Sequence, residues 1–242
     1  MTSFSRTVNE FWRTPFDNGD VLSDDDSFRL IINPRLSHER RVTVLRTNEG
    51  KVMAALTPAL AYKLDLHQRR PLSEPAFRLA LKVGAIRLHS PDCLFYYPDP
   101  SKADLLRQDA GGVRHLLRGR DGALFEEFQS AAPERDLAEA YVELDHWAVF
   151  GCLDHGQLVS AASMYPWEGA HIADIGILTL PAFRGNGHAK RVVRAISAYA
   201  FDQGYEPQYR CQRENHASKT LAASAGLEIF GEWEVIAPSG FD

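Results

Sequence analysis

Cysteine is scarce in this sequence, with three in 242 residues. Cys93, Cys152 and Cys211 are odd in number and far apart, with no CxxC pair and no Cys/His spacing of a zinc site. A disulfide scaffold is therefore excluded, no metal is expected, and reduced thiols in a cytoplasm are the simplest account. Long apolar runs are missing too: none approaches the roughly eighteen residues of a membrane span. The opening stretch MTSFSRTVNEFWRTPFDNGD lacks the apolar h-region of a secretory signal. Nor is there an excess of positive charge, since 27 Lys and Arg stand against 32 Asp and Glu, a net charge of −5. A broad electrostatic grip on nucleic acid is not expected. The pairs Arg40–Arg41 and Arg69–Arg70 read as solvated surface.

What is present is the balance of an ordinary globular protein, 45% hydrophobic and 24% charged. The length suits one large domain or two small ones. A boundary is expected between Pro98 and Gly112, where Pro, Asp and Gly cluster, giving domains 1–110 and 111–242. In the first, RRVTVLRT reads as a strand ending in a turn at Asn48–Gly50, and CLFYY as a short strand. Thr57 and Ser73 read as helix N-caps, each with proline one or two residues on. No catalytic motif accompanies them.

The second half is more regular. VRHLL predicts a strand, and GALFEEFQSA and PERDLAEAYVEL predict helices. HWAVFGCLD and QLVSAASMY predict two strands joined at Asp154–Gly156, and HIADIGILTL a third. A helix follows over 187–201, then a strand in PQYRCQ. A short helix runs between Asn215 as N-cap and Gly226 as C-cap, and a last strand lies in LEIFGEWEVI.

The stretch LTLPAFRGNGHAKRVV carries the chemistry. A strand entering a helix through Gly-Asn-Gly leaves backbone N–H groups pointing outward, where the helix dipole adds partial positive charge. Gly185 and Gly187 allow close backbone approach to a ligand. Arg184, Lys190 and Arg191 crowd the same helix start, where cations oppose the dipole by about 0.3–1 kcal/mol each, so an anion between them is expected. The stretch is not a Walker A loop, since no Gly-Lys-Ser/Thr follows, and it lacks the third glycine of a dinucleotide fingerprint.

RGNGHA satisfies the Arg-x-x-Gly-x-Ala pattern of the pyrophosphate loop of GCN5-related N-acetyltransferases (GNAT). ADIGILTLPAFRGNGHAKRVV resembles that family's fourth strand, loop and third helix. RCQRENHASKTLAASAGLEIFG resembles its next strand, fourth helix and closing strand, with Asn215, Ser218, Leu221 and Gly226 at the expected places. The resemblance covers roughly the last 130 residues, an ordinary domain size. It is similar to larger bacterial members with an extra N-terminal domain, including self-resistance acetyltransferases of the zwittermicin type.

The resemblance implies an α+β fold, with a mixed, mostly antiparallel central sheet flanked by helices, plus an N-terminal α/β domain. It implies that Arg184, Gly185, Asn186, Gly187, His188 and Ala189 wrap the pyrophosphate of acetyl-CoA. Ile177, Leu178 and Thr179 would hold the pantetheine arm, with Asn215 and Ser218 as further cofactor contacts. Asp174 stands where many relatives carry a glutamate base, among apolar neighbours, with His171 and His146 as alternatives. Ala222 stands where many relatives carry a tyrosine acid, so the general acid is unassigned. Tyr165 and Tyr199 are the nearest tyrosines. Glu143, Asp145, His146, Trp167 and Glu168 are expected near the acceptor.

The implied activity is acetyl transfer to a primary amine of a small molecule, with no nucleic acid or membrane partner. Acetylation of a protein N-terminus or lysine is one alternative, and an acyl-CoA sensor that transfers nothing is another. For the N-terminal domain three roles stay open: covering the acceptor, forming a homodimer, or being a decayed copy of the same fold.

Overall fold

The computed structural model describes residues 3–68, 72–107 and 111–237. The Arg69–Arg70 pair and residues 108–110, just before the expected boundary, lie outside the described residues. In chain order the elements are α1 (Arg6–Asp17), β1 (Asp20–Asp24), β2 (Phe28–Ile32), β3 (Val42–Thr47), β4 (Val52–Leu56), α2 (Pro58–Lys63), α3 (Glu74–Val83) and β5 (Asp92–Tyr96). There follow α4 (Asp99–Arg107), β6 (Val113–His115), α5 (Arg118–Ser130), α6 (Glu134–Ala140), β7 (Ala148–Asp154), β8 (Gln157–Pro166) and β9 (Ile172–Thr179). The chain continues through α7 (His188–Asp202), β10 (Glu206–Gln212), α8 (His216–Ala225) and β11 (Glu228–Val235).

The chain forms two compact units, neither of which is a single run of sequence. One comprises residues 1–8, 95–210 and 215–228, and the other residues 9–94, 211–214 and 229–242.

In the second of these units the strand order is β1-β2-β4-β3-β11, with β2 and β4 parallel and the other pairs antiparallel. The β3–β4 turn falls at Asn48–Gly50 as the sequence predicts, with Gly50 at φ 92°. All five residues of β4 are buried, and its alanines suit an interior strand with neighbours on both edges. Ser73 Oγ accepts from the Ala76 N–H and starts α3, which turns Phe77, Ala80 and Leu81 onto Phe28 and the strands below. Thr57 precedes α2 in extended conformation, without a side-chain cap bond. α1 is not among the elements expected from the sequence, yet Trp12 and Phe16, four residues apart on one face, are buried.

In the first unit the order is β10-β9-β8-β7-β6, antiparallel except for the parallel pair β9–β10. The period-two alternation gives this sheet two different faces. Val149, Ala161 and Leu178 face one way, into a core with Phe125 and Phe128 of α5. Phe150 and Cys152 face the other way, against Tyr199 and His188 of α7. In each unit taken by itself the fold is mixed α/β with a mostly antiparallel sheet.

Two elements differ from the sequence-based expectation. The helix expected over PERDLAEAYVEL stops at Ala140, because Tyr141 takes a left-handed conformation, φ 48° and ψ 51°. The Pro98–Gly112 stretch, expected as a break between domains, contains α4.

Candidate functional site

The site is built where β9 leaves β10. Their register runs from Ile172 opposite Glu206 to Ile175 opposite Tyr209. Both strands then continue, β9 to Thr179 and β10 to Gln212, with no further pair between them among the described residues. On its other edge β9 stays paired to β8 through Thr179. Gly176 is the first residue past the divergence, and an added Cβ would stand 2.2 Å from the Ala140 carbonyl oxygen and 3.0 Å from that of Tyr141. The end of α6 therefore lies against β9 at this point. Ile177, Leu178 and Thr179 line the diverging segment, with Leu178 buried in the core. Thr179 Oγ1 hydrogen-bonds Ser160 Oγ at 2.8 Å.

Beyond Thr179 a short 3-10 turn, Pro181–Phe183, leads to Arg184 and the glycines. Gly185 and Gly187 have φ of 82° and 77°, and nothing lies within 4 Å of a Cβ added at either. The glycines thus serve a backbone conformation costly to other residues, and the space above them is open. Gly187 is the N-cap of α7, and no side chain caps the helix. The N–H groups of His188, Ala189 and Lys190 precede the first intrahelical bond, which runs from the Arg191 N–H to the Gly187 carbonyl. An uncapped N-terminus with open space before it is an anion seat.

Two of the expected cofactor residues are arranged differently. Arg184 is not waiting for an anion: Nη2 donates to Asp136 Oδ2 of α6 at 2.6 Å and Nε to the Thr179 carbonyl at 3.1 Å. His188 turns its ring inward, 92% buried, with Nδ1 2.8 Å from Arg191 Nη2 and 3.4 Å from Cys152 Sγ. Only its backbone N–H can face a ligand. Asn186 and Lys190 are exposed, and Ala189 is half-buried. Asn215 caps α8, its Oδ1 accepting from the Ser218 N–H at 3.0 Å.

Asp174, the residue expected as base, is buried, and both its oxygens are engaged. Gln208 Nε2 donates to Oδ1 at 2.7 Å, and Arg210 donates from Nε at 3.1 Å to Oδ1 and from Nη2 at 2.9 Å to Oδ2. Tyr165 OH donates to Oδ2 at 3.3 Å. Tyr96 OH in turn donates to Gln208 Oε1, which closes the network. A carboxylate receiving this many donors has no lone pair left for a reacting proton. The Arg210 guanidinium also lies 4.2 Å over the Trp167 ring. Burial, reinforced by the Asp174 charge, pushes the Tyr165 phenol up to about 12, so it stays protonated. His171 is exposed at the start of β9, its ring 5.2 Å from that of Tyr205, at the opposite end of the strand from the glycine loop.

A second group stands at the divergence. His146 Nδ1 is 2.8 Å from Ser163 Oγ, and Ser163 is the register partner of Gly176. The imidazole sits against the rings of Tyr141 at 4.9 Å and Tyr165 at 5.0 Å. Burial holds its pKa below the usual histidine value, although Asp145 and Glu143 pull the other way. Glu143, half-buried, and Asp145, exposed, lie near this imidazole, and Glu168 is exposed. Ala222, which takes the place of the tyrosine acid in the sequence comparison, is fully buried in α8. The role of Ser163 had no signal in the sequence, because its neighbours are brought to it by strand register.

Residues 122–227 match the model of the Acetyltransferase (GNAT) family. The chain carries a GNAT acetyltransferase domain. A GNAT-family acetyltransferase from Colwellia psychrerythraea is 15% identical over 98% of each chain, with a TM-score of 0.54, and shows the same fold. A GNAT-family protein from Novosphingobium aromaticivorans is 18% identical, with a TM-score of 0.48. The match covers 62% of this chain and 65% of that one, just under two thirds of its length. The aminoglycoside N-acetyltransferase AAC(6')-Iy, solved with CoA, is 22% identical over 48% of this chain and 90% of that one, with a TM-score of 0.38. No curated protein matches the sequence. The GNAT domain matched by the family model contains the divergent strands, the glycine loop, Asp174 and His146.

Proposed function

We propose that the chain is an acetyl-CoA-dependent N-acetyltransferase acting on a primary amine of a small molecule. One observation carries this: β9 parts from β10 and runs directly into an uncapped helix whose approach is two left-handed glycines under open space. The N–H groups of His188, Ala189 and Lys190 would hold the pyrophosphate, with Gly185, Asn186 and Gly187 as the close-approach backbone. The backbone of Ile177, Leu178 and Thr179, free of β10, would pair the pantetheine arm as an added strand does. A backbone N–H of this segment would also steady the oxyanion formed when the amine attacks, worth about 2.7–4 kcal/mol. Arg184 supports the loop through Asp136 and the Thr179 carbonyl. The exposed acidic residues Asp145 and Glu168 suit a cationic amine.

Asn186→Asp separates folding from binding. A carboxylate at this exposed position favours the helix dipole but competes with an incoming phosphate. The variant is expected to melt no lower than wild type and to lose at least tenfold in acetyl-CoA affinity by calorimetric titration. Unchanged affinity would remove the loop from the cofactor site. CoA release with a panel of primary amines then tests transfer. Ala222 and the fully engaged Asp174 favour one second reading, an acyl-CoA sensor. It predicts binding without CoA release for every amine.

A further inference from the structure

Acetyl transfer to an amine needs a group that accepts a proton at the attacking nitrogen. In this domain the strand carboxylate does not offer one, since Gln208, Arg210 and Tyr165 occupy Asp174. A base must also stand where the thioester is presented, beside Gly176, at which β9 departs from β10. Ser163 is fixed opposite Gly176 by register, and it holds His146.

Ser163 Oγ accepts from the Glu143 N–H at 3.2 Å and lies 2.8 Å from His146 Nδ1, where either partner can donate. The Tyr141 carbonyl, 3.5 Å from Ser163 Oγ, offers the hydroxyl proton an acceptor of its own, and in that arrangement His146 Nδ1–H donates to Ser163. With the proton on Nδ1, Nε2 keeps its lone pair. The rings of Tyr141 and Tyr165 hold the imidazole from two sides.

We propose that His146 is the general base of this acetyltransferase, taking the proton of the acceptor amine on Nε2, with Ser163 as its positioning residue. This rests on the acetyl-transfer reading above. The acceptor attacks as the neutral amine, its ammonium proton already released to water. Its lone pair forms the C–N bond at the thioester carbonyl, and Nε2 takes one of the two protons left on nitrogen. The C–S bond then breaks with its electron pair on sulfur, and the imidazolium returns the same proton to the thiolate. No second acid is required, which accounts for Ala222 at the position that carries a tyrosine in many members of the family the sequence resembles. The charged groups around His146 are Glu143 and Asp145 on its own loop. Behind Tyr165 lies the Asp174–Arg210 pair.

Burial holds His146 neutral at pH 7, so kcat/KM is expected to fall only as pH drops through a value below 6.5. The experiment compares the full-length wild type with His146→Gln, which can still bond Ser163. Acetyl-CoA binding is followed by calorimetry and CoA release across pH with the best amine of the panel. The expected result is unchanged acetyl-CoA affinity, a loss of about 10²–10⁴-fold in kcat/KM, and disappearance of the acid limb. An acid limb that persists in His146→Gln, or a loss under threefold, would overturn the assignment while leaving acetyl transfer intact. Wild type that binds acetyl-CoA but releases no CoA with any amine would overturn transfer and the base together. If His146→Gln fails to fold, 15N NMR of the wild-type imidazole decides: Nε2 unprotonated at pH 7.5 supports the proposal, and Nε2–H overturns it.

Discussion

Gly176 and Gly187 stand eleven residues apart and are glycines for opposite reasons. At Gly176 the constraint is space, since a Cβ would meet the backbone oxygens of Ala140 and Tyr141, which no rotamer change can move. Gly176→Ala is expected to cost about 1–3 kcal/mol by overpacking and to loosen the end of α6, read as a lower urea midpoint. At Gly187 the constraint is conformation, with φ 77° and open space above. Gly187→Ala is expected to cost about 1–2 kcal/mol through left-handed strain alone. A denaturation series that ranks the two alike in their effect on α6, followed by amide exchange at Ala140, would contradict this division. The same local view explains Asp174. Its neighbours in sequence are apolar, but its partners in space are a guanidinium, an amide and a phenol.

Helices in this protein are secured by different devices, and each can be removed separately. The start of α8 depends on Asn215, whose Oδ1 accepts from the Ser218 N–H. Asn215→Ala is expected to cost about 0.5–2 kcal/mol in a thermal melt. The start of α5 depends on Asp121, buried on its first turn, which accepts from Arg114, from the Leu117 N–H and from Arg120. The Arg114 hydrogen bond, above all, holds this carboxyl far below the usual range, against the opposing effect of burial. Because the folded pKa is depressed, the stabilisation is complete above the unfolded value of about 3.9 and is lost as pH falls below it. Asp121→Asn should therefore melt below wild type at pH 7, and the gap should narrow steadily as pH falls below about 4 toward the far lower folded value. A gap independent of pH would show that charge is not what Asp121 contributes. By contrast α7 has no side-chain cap, and that omission is what leaves its N–H groups for a ligand.

At the scale of the whole molecule, every residue assigned to cofactor and base lies in one unit, that of residues 1–8, 95–210 and 215–228. Tyr96 bonds Gln208, and Lys102 of α4 pairs with Glu206 at 2.8 Å, so residues ahead of position 111 support β10. A fragment 111–242 leaves the fully buried Gln208 without its phenol partner, a loss of about 1–3 kcal/mol on that count alone. It is expected to melt below the full chain by circular dichroism. Binding should act on the same unit: acetyl-CoA at a hundredfold excess over Kd is expected to add about 2.7 kcal/mol of stability. Amide exchange should slow at Ile177–Thr179 and His188–Lys190, and protection elsewhere only would place the ligand at another site.

Local order determined what the sequence could reveal. Gly-Asn-Gly before an apolar-periodic helix specifies a strand-to-helix turn whichever way the rest packs. Asn215 and Gly226 mark α8, and the alternation in β7, β8 and β9 marks strands, because capping and period depend on neighbours a few residues away. Only tertiary structure decided which charges are spent and which groups meet. Arg184 finds Asp136 48 residues away, Asp174 finds Arg210 36 residues away, and His146 finds Ser163 17 residues away. Strand register and helix docking set those distances. A one-residue slip of β8 on β9 would turn Ser163 away from Gly176 and carry the His146 anchor to the other face of the sheet.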